Sequence, residues 1–474
     1  MAANGLAMKN GRTIDDSADL VLVNSPLKDY DLSPRRNDFT LPTLGLGYIA
    51  TCASQRGFSV RVLDAEALGL GLSEIAALLN RAGPRWVGLN LLAPTYVHSV
   101  RLLQLLDPSI SVMLGGHQAK AMPRAILEDI RIPRIDALVL GEAETRVPLL
   151  LADGKLRGEL PGIYWRERGA PVMPAVRGKD PLLLAPDVDA MPMLDRRFLE
   201  HDPYADAGIL ESAMVASRGC PFDCSFCGAA VSSNPDVTVR MRKPAGIMEE
   251  INDLKSRIGV QRVRFVDDLF LANRRLMQTT LKAFVDARLD MQWDATGRIN
   301  VLAGAPDELV DLMRAAGCRE VALGIESGSD RVLSHVDKKI TVAQIVRAVT
   351  RLCAAGINVK GYFILGLPTE TCSEHQETLT LIRRLWELTR GLPGRFRCSA
   401  FEYRPYPGTP DWGRLVGAGY LPEAMLNYTD IVDDGVSAPD RDEFNFSTGL
   451  QFGEVPVDII RRNLAVIMGE QRSR

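Results

Sequence analysis

Three cysteines fall within one short run, SRGCPFDCSFCGAA: Cys220, Cys224 and Cys227, spaced C-x3-C-x2-C. The thiolate is the form of cysteine that binds metal. Three of them on one loop can hold a single inorganic group. The spacing bears on which group. A structural zinc site closes at four ligands and ordinarily uses two C-x2-C pairs. Zinc here would need a distant fourth thiol, with Cys372 or Cys398 available. A [4Fe–4S] cluster held by three thiolates leaves one iron open to an outside ligand, as a reactive centre requires. Cys52, Cys318 and Cys353 sit in helical or apolar contexts and read as core residues.

A reactive loop needs a rigid frame. From about 213 to 415 apolar strands alternate with helices. The predicted strands are MVASRG (214–219), RVRFVDD (262–268), MQWDATG (291–297), EVALGIES (320–327), VKGYFILG (359–366) and RCSAFEYRP (397–405). Helices such as 245–259 and 341–356 separate them. Six βα units fall short of the eight of a closed barrel, so the block 211–415 reads as a partial, open (β/α)6 barrel. Chemistry in such barrels sits on loops at the C-terminal strand ends. The cysteines follow the first strand. Asp267 and Asp268 follow the second, Arg298 the third, Glu326 and Ser327 the fourth. Glu402, Tyr403 and Arg404 end the sixth. Carboxylates at a strand end accept hydrogen bonds from an ammonium group or a substrate, and an arginine fork pairs with a carboxylate.

A second alternating block precedes this one, over 19–165. VLVNSP, SVRVLDA, WVGLNLL, SVMLGG and ALVLGE are short apolar runs with helices between them. Continuous apolar strands of this kind belong to a parallel sheet covered on both faces, so the block reads as a Rossmann-like doubly wound domain. Ligands of such sheets bind at the carboxyl ends of the strands. Those ends hold Thr95, Tyr96, Gly115, Gly116, His117, Gly141 and Glu142. Residues 1–18 read as a disordered polar tail. The proline-dense stretch 166–210 reads as a linker, and 416–474 as a C-terminal extension ending in an amphipathic helix.

The barrel block resembles the radical SAM (S-adenosylmethionine) enzymes. Their hallmark is the C-x3-C-x2-C loop after the first strand. VRFVDDLF, VALGIESGSDRVL, GYFILGLPTET and YRPYPGTP are similar to further family segments at matching places. The resemblance implies that Cys220, Cys224 and Cys227 hold a [4Fe–4S] cluster whose open iron chelates SAM. Reductive cleavage then gives methionine and a 5′-deoxyadenosyl radical that takes hydrogen from an unactivated carbon. It implies SAM contacts at Phe226, Arg298, Glu326 and Ser327. Asp267, Asp268 and Glu402 are the candidate catalytic groups. An electron donor such as flavodoxin or ferredoxin is implied as a partner.

The upstream block resembles the cobalamin-binding type of domain, through VLVNSP, LPTLGLGYIA, GFSVRVLDA, VGLN, LGGHQA and LGEAE. The D-x-H-x-x-G arrangement that ligates cobalt elsewhere is absent, and His117 is the one histidine on a strand-end loop. The resemblance nevertheless implies cobalamin as a possible cofactor, since relatives bind it without a histidine ligand.

Composition narrows the partners. The 474 residues carry 56 Lys and Arg against 59 Asp and Glu, a net charge of −3. That balance, with no basic tail, argues against nucleic acid. No apolar run is long enough to span a membrane, and no secretory segment precedes the first strand. Eight cysteines are too few for a disulfide scaffold. A cytoplasmic enzyme acting on a small natural-product substrate is the expectation. Cobalamin-dependent C-methylation leads. The alternative is cobalamin-independent dehydration or rearrangement, of the diol-dehydratase type found in aminoglycoside biosynthesis. Acidic rim residues would suit a cationic amino sugar.

Overall fold

A computed structural model of the chain describes residues 6–7, 13–14, 18–32, 35, 42–175, 184–206, 208–230, 239–271, 273–428, 430–431 and 446–474. Most of the tail predicted at 1–18, and Pro181 of the proline-dense stretch, lie outside them. The chain divides into two compact units, 1–202 and 203–474.

The first unit is a seven-stranded sheet. Its parallel strands are β1 (Leu20–Asn24), β2 (Val60–Asp64), β3 (Trp86–Asn90), β4 (Ser111–Gly115) and β5 (Ala137–Val139). The spatial order is β2-β1-β3-β4-β5. The direction of winding reverses between β1 and β3, which places the ligand crevice of a doubly wound sheet at their carboxyl ends. Strand alternation sends Val21, Val23, Val87, Leu89, Val112 and Leu114 into one apolar layer. It sends Leu20, Leu22, Trp86 and Met113 into the other. Both faces are thus sealed, as the apolar runs require.

Two further strands extend this sheet, β6 (Ile163–Glu167) and β7 (Ala170–Val172), both antiparallel. The stretch read as a linker from 166 therefore begins inside a β hairpin. Pro171 is compatible with this because β7 is an edge strand, where no partner needs its missing N–H.

The second unit is a seven-stranded half-barrel. A short edge strand, β8 (Tyr204–Asp206), is antiparallel to β9 (Ile209–Met214). The remaining strands run parallel to β9 in order: β10 (Arg262–Phe265), β11 (Gln292–Gly297), β12 (Cys318–Glu326), β13 (Asn358–Leu365) and β14 (Phe396–Glu402). The first barrel strand ends at Met214, where the sequence reading starts it. Beyond Met214 the chain turns out of the sheet, because the Asp267 carboxylate takes the Ala216 N–H at 2.8 Å. Ser217–Arg218 then pairs with Arg240–Met241 instead.

Alternation sorts the barrel residues by face. Met214, Val263, Phe265, Trp293, Ala295, Val321, Leu323, Ile325, Val359, Phe363, Phe396, Cys398 and Ala400 enter one apolar layer with the helices. Their neighbours in each strand point into the barrel lumen. A C-terminal helix, α1 (Val457–Arg472), packs on β14.

Candidate active site

The cysteine loop is fixed at its root and at its waist. Asp267 is buried, accepting from Ala216 N at 2.8 Å and from Ser217 Oγ at 2.7 Å. Burial pushes its carboxyl up to about 7, against those two bonds. Asp268 accepts from Gly219 N at 3.2 Å. Gly219 has φ +86°, a conformation open to glycine, and the loop turns there just before Cys220. Farther on, Ser225 N–H donates to Val336 O at 3.0 Å and Ser225 O accepts from Asp411 N at 3.0 Å. The loop is thereby tied to two distant segments.

Cys224 is buried, and Cys220 and Cys227 are half-buried. Burial raises the Cys220 thiol, and raises Cys227 to about 11, with the neighbouring Cys224 adding to each. Bare thiols here resist ionisation, so a bound cation must supply the driving force for thiolate formation. Arg298 provides part of the matching field. Its Nη1 lies 3.3 Å from Cys224 Sγ, its Nη2 donates to Lys338 O at 2.5 Å, and its guanidinium stacks 3.6 Å from the Phe222 ring. Arg298 Nε and Ser225 Oγ are buried without a hydrogen-bond partner among the described residues. An unpaired buried donor costs free energy, so the loop is shaped to receive an acceptor-rich group.

The four-ligand zinc alternative needs a fourth thiol at this loop. Cys398 is instead packed in the apolar layer between strands and helices, and Cys372 opens a helix at an exposed position. Three cysteines and an orphaned guanidinium donor fit an iron–sulfur cluster with an anionic chelator on its open side.

Glu326 and Ser327 lie at the end of β12. Glu326 has φ +68°, unusual for a residue with a side chain and common at functional sites. Its carboxylate accepts from Lys338 Nζ at 2.5 Å, and both side chains are buried. Gly324 makes room for this pair, since a Cβ there would come within 2.6 Å of Lys338 Nζ. Ser327 Oγ is buried at 3.2 Å from Thr378 Oγ1. Lys338 also stands 5.7 Å from the centre of the Phe226 ring. Sequence reading missed Lys338, which sits in the run DKKI and looks like a solvated charge. Arg298 and Lys338 thus stand near the cysteines, and Glu326 joins them through Lys338.

Glu402 does not join this group. Positions 396, 398 and 400 face the helices, and Glu402 shares their parity. It is buried against the C-terminal segment, accepting from Ser447 Oγ at 2.5 Å and pairing with Arg461 at 3.5 Å. Tyr403 likewise packs on Phe452, with ring centres 5.3 Å apart. With Asp267 holding the loop and Glu402 holding the extension, the acidic rim reduces to Asp268. The ground for a cationic amino sugar is gone.

In the first unit, Gly116 has φ +93°, and a Cβ on it would approach Leu91 O to 2.7 Å. The chain turns there at the end of β4, and Gly115 closes that strand. His117 is exposed at the start of the following short helix. Gly141 has φ +73°, and Glu142 O accepts from the buried Arg146 at 2.7 Å, which fixes the loop after β5. These positions share the carboxyl edge of the sheet. Thr95 is buried and closes a turn, its N–H donating to Leu92 O at 3.1 Å. Tyr96 is in the apolar layer, and its hydroxyl donates to Asp129 at 2.8 Å. Neither presents its side chain openly at the edge.

Residues 214–382 match the radical SAM superfamily, and residues 37–151 match the B12 binding domain. The chain carries a radical SAM domain and a B12-binding domain. Among curated relatives, an uncharacterized methyltransferase of Pyrococcus horikoshii is 28% identical over 389 residues, covering 81% of this chain and 80% of its own length. A cytidylyl-2-hydroxyethylphosphonate methyltransferase of Streptomyces wedmorensis is 27% identical over 436 residues, covering 81% and 79%. Among solved structures, the radical SAM methyltransferase TsrM of Kitasatospora setae aligns with TM-score 0.63 at 19% identity, covering 83% of this chain and 75% of that one. The cobalamin-dependent radical SAM enzyme OxsB aligns with TM-score 0.63 at 16% identity, covering 95% of this chain and 65% of that one. The cofactors of this radical SAM enzyme are a [4Fe–4S] cluster, SAM and cobalamin. No helix among its described residues is long and apolar enough to cross a membrane.

Proposed function

We propose that the protein methylates an unactivated carbon of a small natural-product substrate, with cobalamin as the methyl carrier. One observation carries most of the weight: a cysteine loop with Arg298 seated on it shares one chain with a B12-binding domain. The curated relatives named as methyltransferases support the same reaction class.

When bound, the cluster and SAM supply a carbon-centred radical, and cobalamin supplies a methyl group. The residues of the chain have separate tasks in this reading. Cys220, Cys224 and Cys227 ligate the cluster. Arg298 offers its buried donor to the SAM carboxylate and its charge to the Cys224 sulfur. The Glu326–Lys338 pair, with Ser327 and Phe226, shapes the pocket for the nucleoside part of SAM. Asp267 fixes the root of the loop so that the ligands hold one geometry. Hydrogen abstraction then requires a substrate carbon held in the lumen away from water. A flavodoxin- or ferredoxin-type donor would supply the electron.

The test is an anaerobic assay of the reconstituted enzyme with candidate metabolites. Methylation yields 5′-deoxyadenosine together with S-adenosylhomocysteine, which records methyl consumption. Formation of 5′-deoxyadenosine and a deoxygenated product without S-adenosylhomocysteine would replace methylation with dehydration or rearrangement.

A further inference from the structure

The peptide in the middle of the cysteine loop is held from both sides. Ser225, between Cys224 and Cys227, donates its N–H to Val336 O and accepts at its carbonyl from Asp411 N, each at 3.0 Å. Val336 lies beyond β12. Asp411 lies beyond β14, the last barrel strand, in the helix Pro410–Gly417. The first amides of a helix have no acceptor within it, so the Asp411 N–H can serve the loop. Thr409 fixes the start of that helix, accepting from Trp412 N at 3.2 Å and donating to Tyr406 O at 2.7 Å. The run from Tyr403 to Asp411 thereby ties the end of the last barrel strand to the loop that follows the first.

The same residue carries a charge into the interior. The Asp411 side chain is 1% exposed and that of its partner Arg414 is 55% exposed, with Arg414 Nη1 donating to Asp411 Oδ1 at 3.0 Å. Asp411 Oδ2 and the Tyr403 hydroxyl are both buried, and neither completes a hydrogen bond among the described residues. They still feel each other: burial raises the Tyr403 phenol above its ordinary range, and the Asp411 charge adds to the rise. A solvated arginine is screened and offsets a buried carboxylate only in part. Negative charge therefore remains beside the peptide that links two of the three cysteines. A buried carboxylate with one oxygen unpaired lowers stability. The backbone clamp alone does not require it, since almost any residue at 411 would supply the same N–H.

We propose that Asp411 is a positioning residue of the cluster loop with two tasks: its N–H fixes the peptide between Cys224 and Cys227, and its buried carboxylate holds the reduction potential of the cluster low. The potential of such a cluster depends on nearby charge, hydrogen bonding and burial. A negative charge close by opposes the electron that reduces the cluster. A lower potential makes the reduced cluster the stronger donor to SAM. The electron itself comes from the external donor and passes to SAM, so Asp411 biases the transfer without taking part in it. The inference rests on Cys220, Cys224 and Cys227 holding the cluster, as the proposed function has it, and not on which reaction the radical then performs.

The test is an anaerobic redox titration of the full-length reconstituted protein without SAM, cobalamin or substrate. The cluster is followed by its visible absorbance and by the paramagnetic resonance of its reduced form. Asp411→Asn keeps the main-chain donor and the side-chain size but removes the charge. It should load a full cluster that is about tenfold easier to reduce, a rise of about 59 mV for one electron. Arg414→Gln removes the solvated counter-charge and leaves Asp411 in place. It should move the potential the other way, by less because Arg414 is screened. Opposite shifts are the signature, since a loosened loop would move both variants alike. If Asp411→Asn loads no cluster, the sign of the Arg414→Gln shift decides alone. An unmoved potential in both variants, or shifts of the same sign, would overturn the inference and leave the cysteine ligands standing. A wild type that assembles no cluster would overturn the ligand assignment itself, and this inference with it.

Discussion

The guanidinium of Arg298 sits 3.3 Å from the sulfur of Cys224 while its own Nε stays unpaired in the interior. One side chain thereby touches a candidate cluster ligand and keeps a donor in reserve. Arg298→Met removes the charge but keeps much of the volume. Its affinity for SAM should drop by roughly tenfold, with the brown cluster absorbance retained. Arg298→Lys should not restore binding, because a point charge cannot reproduce the fork. A SAM titration of the reconstituted variants checks both outcomes. Unchanged affinity in the Met variant would remove Arg298 from the SAM site.

The buried Glu326–Lys338 pair predicts an asymmetric pattern. Lys338→Met alone leaves a carboxylate buried without its partner and should destabilise the protein by about 3–5 kcal/mol. Adding Glu326→Gln should recover much of that loss, since both charges are then gone. Denaturant unfolding of the two single variants and the double variant gives the coupling. Simple additivity would mean that the pair is not coupled as its 2.5 Å contact implies.

Asp267 predicts a pH dependence. Its folded carboxyl is raised to about 7 from an ordinary value of 3.8. Between those values the folded state holds a proton that the unfolded state has released. Stability therefore falls as pH climbs from about 4 to about 7. Asp267→Asn carries no such proton and should flatten that limb by roughly 2–4 kcal/mol. Unfolding midpoints across the range decide the matter. A wild type that gains stability through the same window would show that Asp267 is ionised in the fold.

Glu402 should behave as a brace for the C-terminal helix. Glu402→Gln weakens its bonds to Ser447 and Arg461 and should cost about 1–2 kcal/mol, part of the partner being solvated. SAM cleavage per folded molecule should change little. Loss of cleavage without loss of stability would return Glu402 to the reacting side of the barrel.

How much was legible in the sequence depended on the range of each signal. The cysteine loop is plain because its three cysteines lie within eight residues of one another. The doubly wound sheet was plain because its apolar runs are continuous. The hairpin of β6 and β7 was hidden by prolines that an edge strand tolerates. Glu402 lies at a strand end like the rim residues, but its parity along β14 turns it toward the C-terminal segment. The lumen face of β10 left a visible trace, since Arg262 and Arg264 alternate with Val263 and Phe265 in RVRF. Lys338 left none. Its partner is twelve residues away on a strand end, and only the folded segment between them, with the helix Asp330–His335, brings them together.

The most direct test of the central claim is the cobalt content of the full-length protein after anaerobic reconstitution with cobalamin and removal of the excess. Cobalamin-dependent methylation predicts about one equivalent of cobalt per chain, held alongside a cluster that cleaves SAM. Less than about a tenth of an equivalent, with SAM cleavage retained, would contradict it.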